Sequence, residues 1–199
     1  MTNTKEHILN VSLNLFLQKS FKEVTMKEIV EKTGMSKGAF YHYFESKEQL
    51  FLELIDNAFP SVIGVYYSKL NKESLYQFYH DYANYFIESI FSQNKSENSN
   101  NISFNYFSLV FDALRIFPDF QQKVFDSQQN ELNIWKGIIQ TAKDKGEISS
   151  LMKDEQIARM FMHSSDGVAI NIILMKLSCD IARNNLLVLW DNFYQELKI

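Results

Sequence analysis

The sequence predicts an all-α protein, a small three-helix head at the N-terminus followed by a larger helical body, and three features carry that prediction. Apolar residues recur at intervals of three and four along most of the chain. Only 2 Pro and 6 Gly are available to punctuate strands among 199 residues. Helix start signals crowd the first fifty residues, where Thr25 precedes Glu28 and Ser46 precedes Gln49 by three positions. No sheet is expected, and about nine helices account for the periodic stretches.

Composition narrows the classes further. A 46% apolar content is ample for a packed core, so the chain is globular rather than disordered. The N-terminal MTNTKEHILN lacks the apolar core of a signal peptide, and no stretch of about eighteen uncharged apolar residues is present. A cytoplasmic protein with no membrane partner is expected. Cys179 is the sole cysteine, which excludes an internal disulfide and a multi-thiolate metal site within one chain. No metal and no cofactor are predicted. The formal net charge is -4, yet it divides unevenly: residues 1 to 50 hold seven Lys against six acids, and residues 51 to 199 hold thirteen Lys plus Arg against eighteen acids. A slightly basic head on an acidic body suits a protein that meets nucleic acid with one end only.

Taken in order, Thr4 to Lys19 has a broad apolar face of Ile8, Leu9, Val11, Leu15 and Phe16 and should end near Ser20. Thr25 and Glu28 form a reciprocal capping box for a second helix from about Met26 to Lys32. Gly34 can take the left-handed conformation that ends this helix and turns the chain, and Ser36 caps a third, from Lys37 to about Tyr43. Ser46 starts a fourth, continued by Leu50, Phe51, Leu54, Ile55, Ala58 and Phe59, which Pro60 should kink or break. Ser74 to Ser92 is an aromatic-rich helix, and QNKSENSNN over 93–101 reads as a mobile polar loop. Further helices are expected at about 102–116, 119–145, 154–180 and 182–197, with Gly146 and Asp154 marking a stop and a start. The domain boundary is placed between residues 48 and 49, giving a head of 1–48 and a body of 49–199.

The segment GMSKGAFYHYF meets the geometric demands of a helix-turn-helix. One helix must brace across the phosphates while the next enters the major groove, so the turn is tight and the first turn of the reading helix is small or polar. Gly34 makes the turn, Ser36 caps it, and Lys37, Gly38 and Ala39 form a low profile with one charge. Phe40, Tyr43 and Phe44, at i, i+3 and i+4, are expected to be core residues holding the helix in place.

The ordered set Ile8-Leu9, Leu15-Phe16, Thr25, Ile29, Gly34-Met35-Ser36, Gly38, Phe40-Tyr41, Tyr43-Phe44, Lys47 and Leu50 resembles the N-terminal domain of the TetR family of repressors. Ser20 and Thr33 depart from that pattern, at positions where the family favours Gly and Ala, and neither is on the expected DNA face. The resemblance implies that Ser36, Lys37, Gly38, Ala39, Tyr41 and His42 approach double-stranded operator DNA from the third helix. It implies contacts from Thr25 and Lys27 at the start of the second, and a phosphate contact from Lys47. Helix N-termini and Lys attract phosphate, Tyr hydroxyls bond phosphate oxygens, and Lys37 is the candidate for a base contact.

A head of this size buries too little surface to bind tightly alone, and two-fold dimers read most such operators. The last helices carry more apolar positions than one core stripe needs: Ile170, Ile173, Leu174, Leu177, Leu186, Leu187, Leu189, Trp190 and Phe193. A homodimeric four-helix interface is expected there, as the resemblance also implies. The body is also rich in Phe and Tyr, and Tyr82, Phe86, Phe107, Phe111, Trp135, Phe161 and Asp166 are candidate lining residues for a small hydrophobic, aromatic or cationic effector. His163 and Asp166 lie one turn apart, but no nucleophile-base pattern accompanies them, so a non-enzymatic, ligand-responsive repressor is the expectation. The competing readings are a helical enzyme or small-molecule carrier with a helix-turn-helix-like start, and an activator or partner-binding regulator without an effector.

Overall fold

A computed structural model describes residues 3–92 and 102–198, with the side chains of 3, 57–66, 92 and 102–107 left undescribed. Its described residues form nine helices: α1 (Asn3–Phe16), α2 (Met26–Thr33), α3 (Lys37–Tyr41), α4 (Lys47–Lys69), α5 (Leu75–Ser92), α6 (Ile102–Ile116), α7 (Phe120–Asp144), α8 (Asp154–Met175) and α9 (Cys179–Leu197). One isolated bridge joins Ile148 and Lys198, and the described residues form no strand. The fold is all-α.

Caps explain most boundaries. Thr25 Oγ1 accepts from Glu28 N at 3.2 Å, Ser36 Oγ from Ala39 N at 3.3 Å and Ser46 Oγ from Gln49 N at 3.1 Å. Gly34 closes α2 at φ +68°, where a side chain is strained. Gly146 at φ +69° closes α7, with Glu147 N on Ala142 O and Gly146 N on Lys143 O, the Schellman pairing.

Several expected boundaries need correction. The chain leaves α1 at Phe16 rather than near Ser20, because Gln18 and Lys19 both donate to Leu15 O while Ser20 folds onto the Glu23 carboxylate. The capping box at α2 is half formed, since the Glu28 carboxylate pairs with Lys19 instead of returning to Thr25. α3 stops at Tyr41, and Tyr43 is only half-buried whereas Phe40 and Phe44 are fully buried. α4 runs through position 60 without a break. α8 ends at Met175, not 180: Lys176 adopts φ +50°, Leu177 N reaches back to Ile172 O, and Ser178 caps α9 through Ile181 N. The expected loop at 93–101 lies outside the described residues.

The chain divides into two compact units, residues 1–61 with 101–122 and residues 62–100 with 123–199. In the first, α1 packs on α2, and Phe16, Phe21 and Phe51 form an aromatic cluster with centroids 4.8 to 5.9 Å apart. Phe117 stacks on Phe51 at 6.0 Å. The buried Asp112 of α6 accepts from the backbone N–H of Phe21 at 2.9 Å and is held by Arg115. In the second unit α5 and α8 pack on α9 around Trp135, Trp190, Tyr79, Phe78 and Phe161, all essentially without exposure. Each such side chain contributes about 1.5–3 kcal/mol of burial free energy.

Candidate nucleic-acid interface

The first unit presents the turn between α2 and α3 outward on a rigid base. Ile29 of α2 and Phe40 of α3 are fully buried, as is Phe44 just beyond, so the reading helix is anchored by its apolar side. What remains faces out. Ser36, Lys37, Gly38, Ala39, Tyr41 and His42 are all exposed, and so are Thr25 and Lys27, the latter with 86% of its side chain open. Gly38 has nothing within 4 Å of where a Cβ would stand, which keeps the first turn of α3 low. The Lys37 ammonium rests 5.9 Å from the centre of the Tyr41 ring, a weak hold that leaves its charge in solvent. Both α2 and α3 begin at an exposed polar cap, Thr25 and Ser36, and the N–H groups of a helix start attract phosphate.

Lys47 departs from its expected role. Its Nζ donates to Phe21 O at 2.7 Å and Val24 O at 2.8 Å and lies 4.3 Å from the Phe21 ring centre. These bonds occupy the ammonium inside the unit, where it braces the α1–α2 loop rather than reaching outward.

Residues 8–54 match the family model for bacterial regulatory proteins of the tetR family. The head of the chain is thus of the tetR-family helix-turn-helix type. Among TetR-family and other regulators, the chain is 25% identical to the HTH-type transcriptional regulator YfiR of Bacillus subtilis over 85% of this chain and 83% of that protein. It is 41% identical to the HTH-type transcriptional regulator QacR of Staphylococcus aureus over 54 residues, 27% of this chain and 29% of QacR. Solved structures of similar fold include a TetR transcription regulator from Haloarcula marismortui, at TM-score 0.71 and 13% identity with 96% and 98% of the chains covered. A regulator from Aquifex aeolicus superposes at TM-score 0.68 and 22% identity, covering 92% and 95%. The fold of these regulators is thus shared well beyond the head, which is of the helix-turn-helix type found in transcriptional regulators.

In the second unit, four of the expected effector-lining residues come together. Tyr82 stacks on Phe86 at 5.6 Å and meets Trp135 at 5.3 Å, and Trp135 stacks on Phe161 at 5.0 Å. The others do not join them. Phe111 belongs to the first unit and is 65% exposed, Asp166 points to solvent beside His163 at 3.8 Å, and the Phe107 side chain lies outside the described residues. Sequence reasoning missed Glu131, whose Oε1 accepts from the hydroxyls of Tyr67 at 2.5 Å and Tyr82 at 3.1 Å. Trp135 Nε1 donates to the Tyr67 hydroxyl at 3.2 Å, so the group is one network. Burial pushes the Glu131 carboxyl up from its usual range, the charge of Asp166 adds to this, and the two phenol bonds oppose it. A signal was available: Glu131 is four residues before Trp135 and seven before Ile138, on the inward face of α7.

Of the expected dimer residues, Ile170, Leu174 and Leu189 are exposed, and Ile173, Leu177 and Phe193 are half-buried. Leu186 and Trp190 instead lie in the core, Trp190 donating to Ser164 Oγ at 2.7 Å. Met175, Ile181 and Val188 are exposed large apolar residues that the sequence reading did not single out. No helix among the described residues is long and apolar enough to cross a membrane, and no group of three metal-ligating side chains occurs among them.

Proposed function

We propose that this regulator is a homodimeric repressor that grips a palindromic operator through residues 36–42 and lets go when the body takes up a small hydrophobic, aromatic or cationic effector. The single observation that carries the reading is the outward row Ser36, Lys37, Gly38, Ala39, Tyr41 and His42 on a helix pinned from behind by Phe40 and Phe44. A low first turn with one mobile cation fits the major groove, where Lys37 donates to base acceptors and Thr25, Lys27 and Tyr41 hold phosphates. In functional terms the DNA-binding part is residues 1–48 and the effector and dimerisation part 49–199.

The exposed stripe of Ile170, Leu174, Ile181, Val188 and Leu189 supports pairing of α8 and α9 with their mates in a four-helix interface. The gathered rings of Tyr82, Phe86, Trp135 and Phe161 support an aromatic effector site. Effector binding shifts α4 as a lever, changes the spacing of the two heads and lowers affinity for half-sites fixed about one helical turn apart. The protein acts in the cytoplasm, where its duplex target is.

Footprinting the purified protein on the DNA upstream of its own gene tests the reading. A protected two-fold site is expected, with affinity falling steeply as salt rises. Failure to bind any duplex at low ionic strength, or a purely monomeric protein, sinks it.

A further inference from the structure

We infer that Asp112, in α6, is a positioning residue for operator binding: by accepting from the Phe21 amide it holds the α1–α2 loop so that Thr25 and Lys27 stand where phosphates are met. This deepens the operator reading above and rests on it. The loop ends at the fully buried Val24, and Thr25 follows at once as the cap of α2. A shift of Phe21 to Val24 therefore passes directly to the start of that helix. Two charged side chains grip Phe21 at the two polar ends of its backbone. Lys47 donates to its carbonyl and to that of Val24, at 2.7 and 2.8 Å. Asp112, 91 residues away in sequence, accepts its N–H on Oδ2 at 2.9 Å, while Oδ1 takes the Arg115 guanidinium. Phe117, just past the end of α6, stacks on Phe51, which meets the Phe21 ring edge-on at 4.8 Å. All of these residues belong to the first unit.

The two grips are not equivalent. The Lys47 bonds are partly exposed, so water can take the place of the ammonium at either carbonyl without moving the backbone. The bond from the Phe21 amide to Asp112 is buried, as is Asp112 itself. An N–H deprived of its acceptor there has no water to turn to, and it costs free energy until the loop moves to reach some. Loss of the Asp112 acceptor therefore displaces the loop, and with it the Thr25 cap and Lys27 two residues on. Arg115, more than half exposed, orients the carboxylate but does not supply the acceptor.

Titration of the full-length protein with the duplex protected in footprinting, over a series of salt concentrations and well below Tm, tests the assignment. Asp112→Leu, which fills the site without an acceptor, is expected to weaken binding by roughly 10-fold, and Asp112→Asn, which keeps one, by less than about 2-fold. The slope of log affinity against log salt should fall in Asp112→Leu by about 0.9, the share of one phosphate contact. Adding Lys27→Ala to Asp112→Leu should then change the slope no further, because that contact is already gone. Asp112→Glu keeps the charge and moves the acceptor by one methylene; it serves where the leucine variant does not fold, with a loss of about 3-fold expected. Arg115→Ala should leave affinity as it is. A purely stabilising Asp112 predicts a lower Tm with affinity and slope intact, and Lys27→Ala acting in full on top of Asp112→Leu. Either result overturns the positioning role, as does Arg115→Ala reproducing the loss, and all three leave the operator reading standing. A wild type that binds no duplex removes both.

Discussion

Lys47 and Glu131 show how a charged residue's role depends on atoms far away in sequence. The Lys47 ammonium is fixed by the carbonyls of Phe21 and Val24, which it meets only because the α1–α2 loop folds over α4. Replacing Lys47 by Met should lower Tm by roughly 2–4 °C per kcal/mol lost, read by calorimetry, with little change in the salt dependence of operator binding. Lys27→Ala should do the opposite, leaving Tm alone and reducing the slope of log affinity against log salt by about 0.9 for each phosphate contact removed. From sequence alone both are lysines near a helix start, and only the fold separates them. Glu131 has its pKa raised by burial, so the folded protein holds this proton more tightly than the unfolded chain does. Its contribution favours folding below the usual carboxylate range and is lost as pH rises through the raised value. Glu131→Gln is therefore expected to raise Tm by about 2–4 °C at neutral pH and to give no gain in acid; a gain that persists in acid would show that the charge is not the cause.

At the scale of the helix, what was legible was local. Thr25, Ser36, Ser46 and Gly34 announce their ends because each cap acts within three or four residues of itself. The same logic failed at α8, where a lysine, Lys176, takes the left-handed turn that a glycine normally marks. The start of α5 was legible through Ser74, but its main acceptor was not. Glu147, from the turn after α7, takes the N–H groups of Leu75 and Tyr76 and the hydroxyls of Ser74 and Tyr194. Against the penalty of partial burial, these donors hold its carboxyl below the usual range, while burial and that same carboxylate push Tyr194 up to about 12. Glu147→Ala should cost about 1–3 kcal/mol in denaturant unfolding at neutral pH. A lowered pKa stabilises above the usual carboxylate range and the benefit disappears as pH falls through it, so wild type and variant should converge in acid. Gly34→Ala, at φ +68°, should cost about 1 kcal/mol and loosen the turn that sets α3.

For the molecule as a whole, the surplus of apolar residues in the last two helices was visible in the sequence, but its partition was not. Leu186 and Trp190 satisfy the core, and Ile170, Leu174, Ile181, Val188 and Leu189 are left facing out. Charging the outward set, for example Leu189→Asp, is expected to give monomers in sedimentation velocity with the helical content intact. Operator affinity should fall with it, since two half-sites are no longer read together. The boundary expected near residue 48 was drawn along the chain, whereas compactness follows contacts, and the first unit draws in residues 49–61 and 101–122. Asp112 supplies the acceptor for the Phe21 amide and Phe117 a ring for Phe51, both from α6. An engineer who grafts this reading head onto a foreign sensor by cutting after α4 would leave behind an amide without its acceptor and a ring without its neighbour. A working chimera has to be spliced from two separate stretches of the gene.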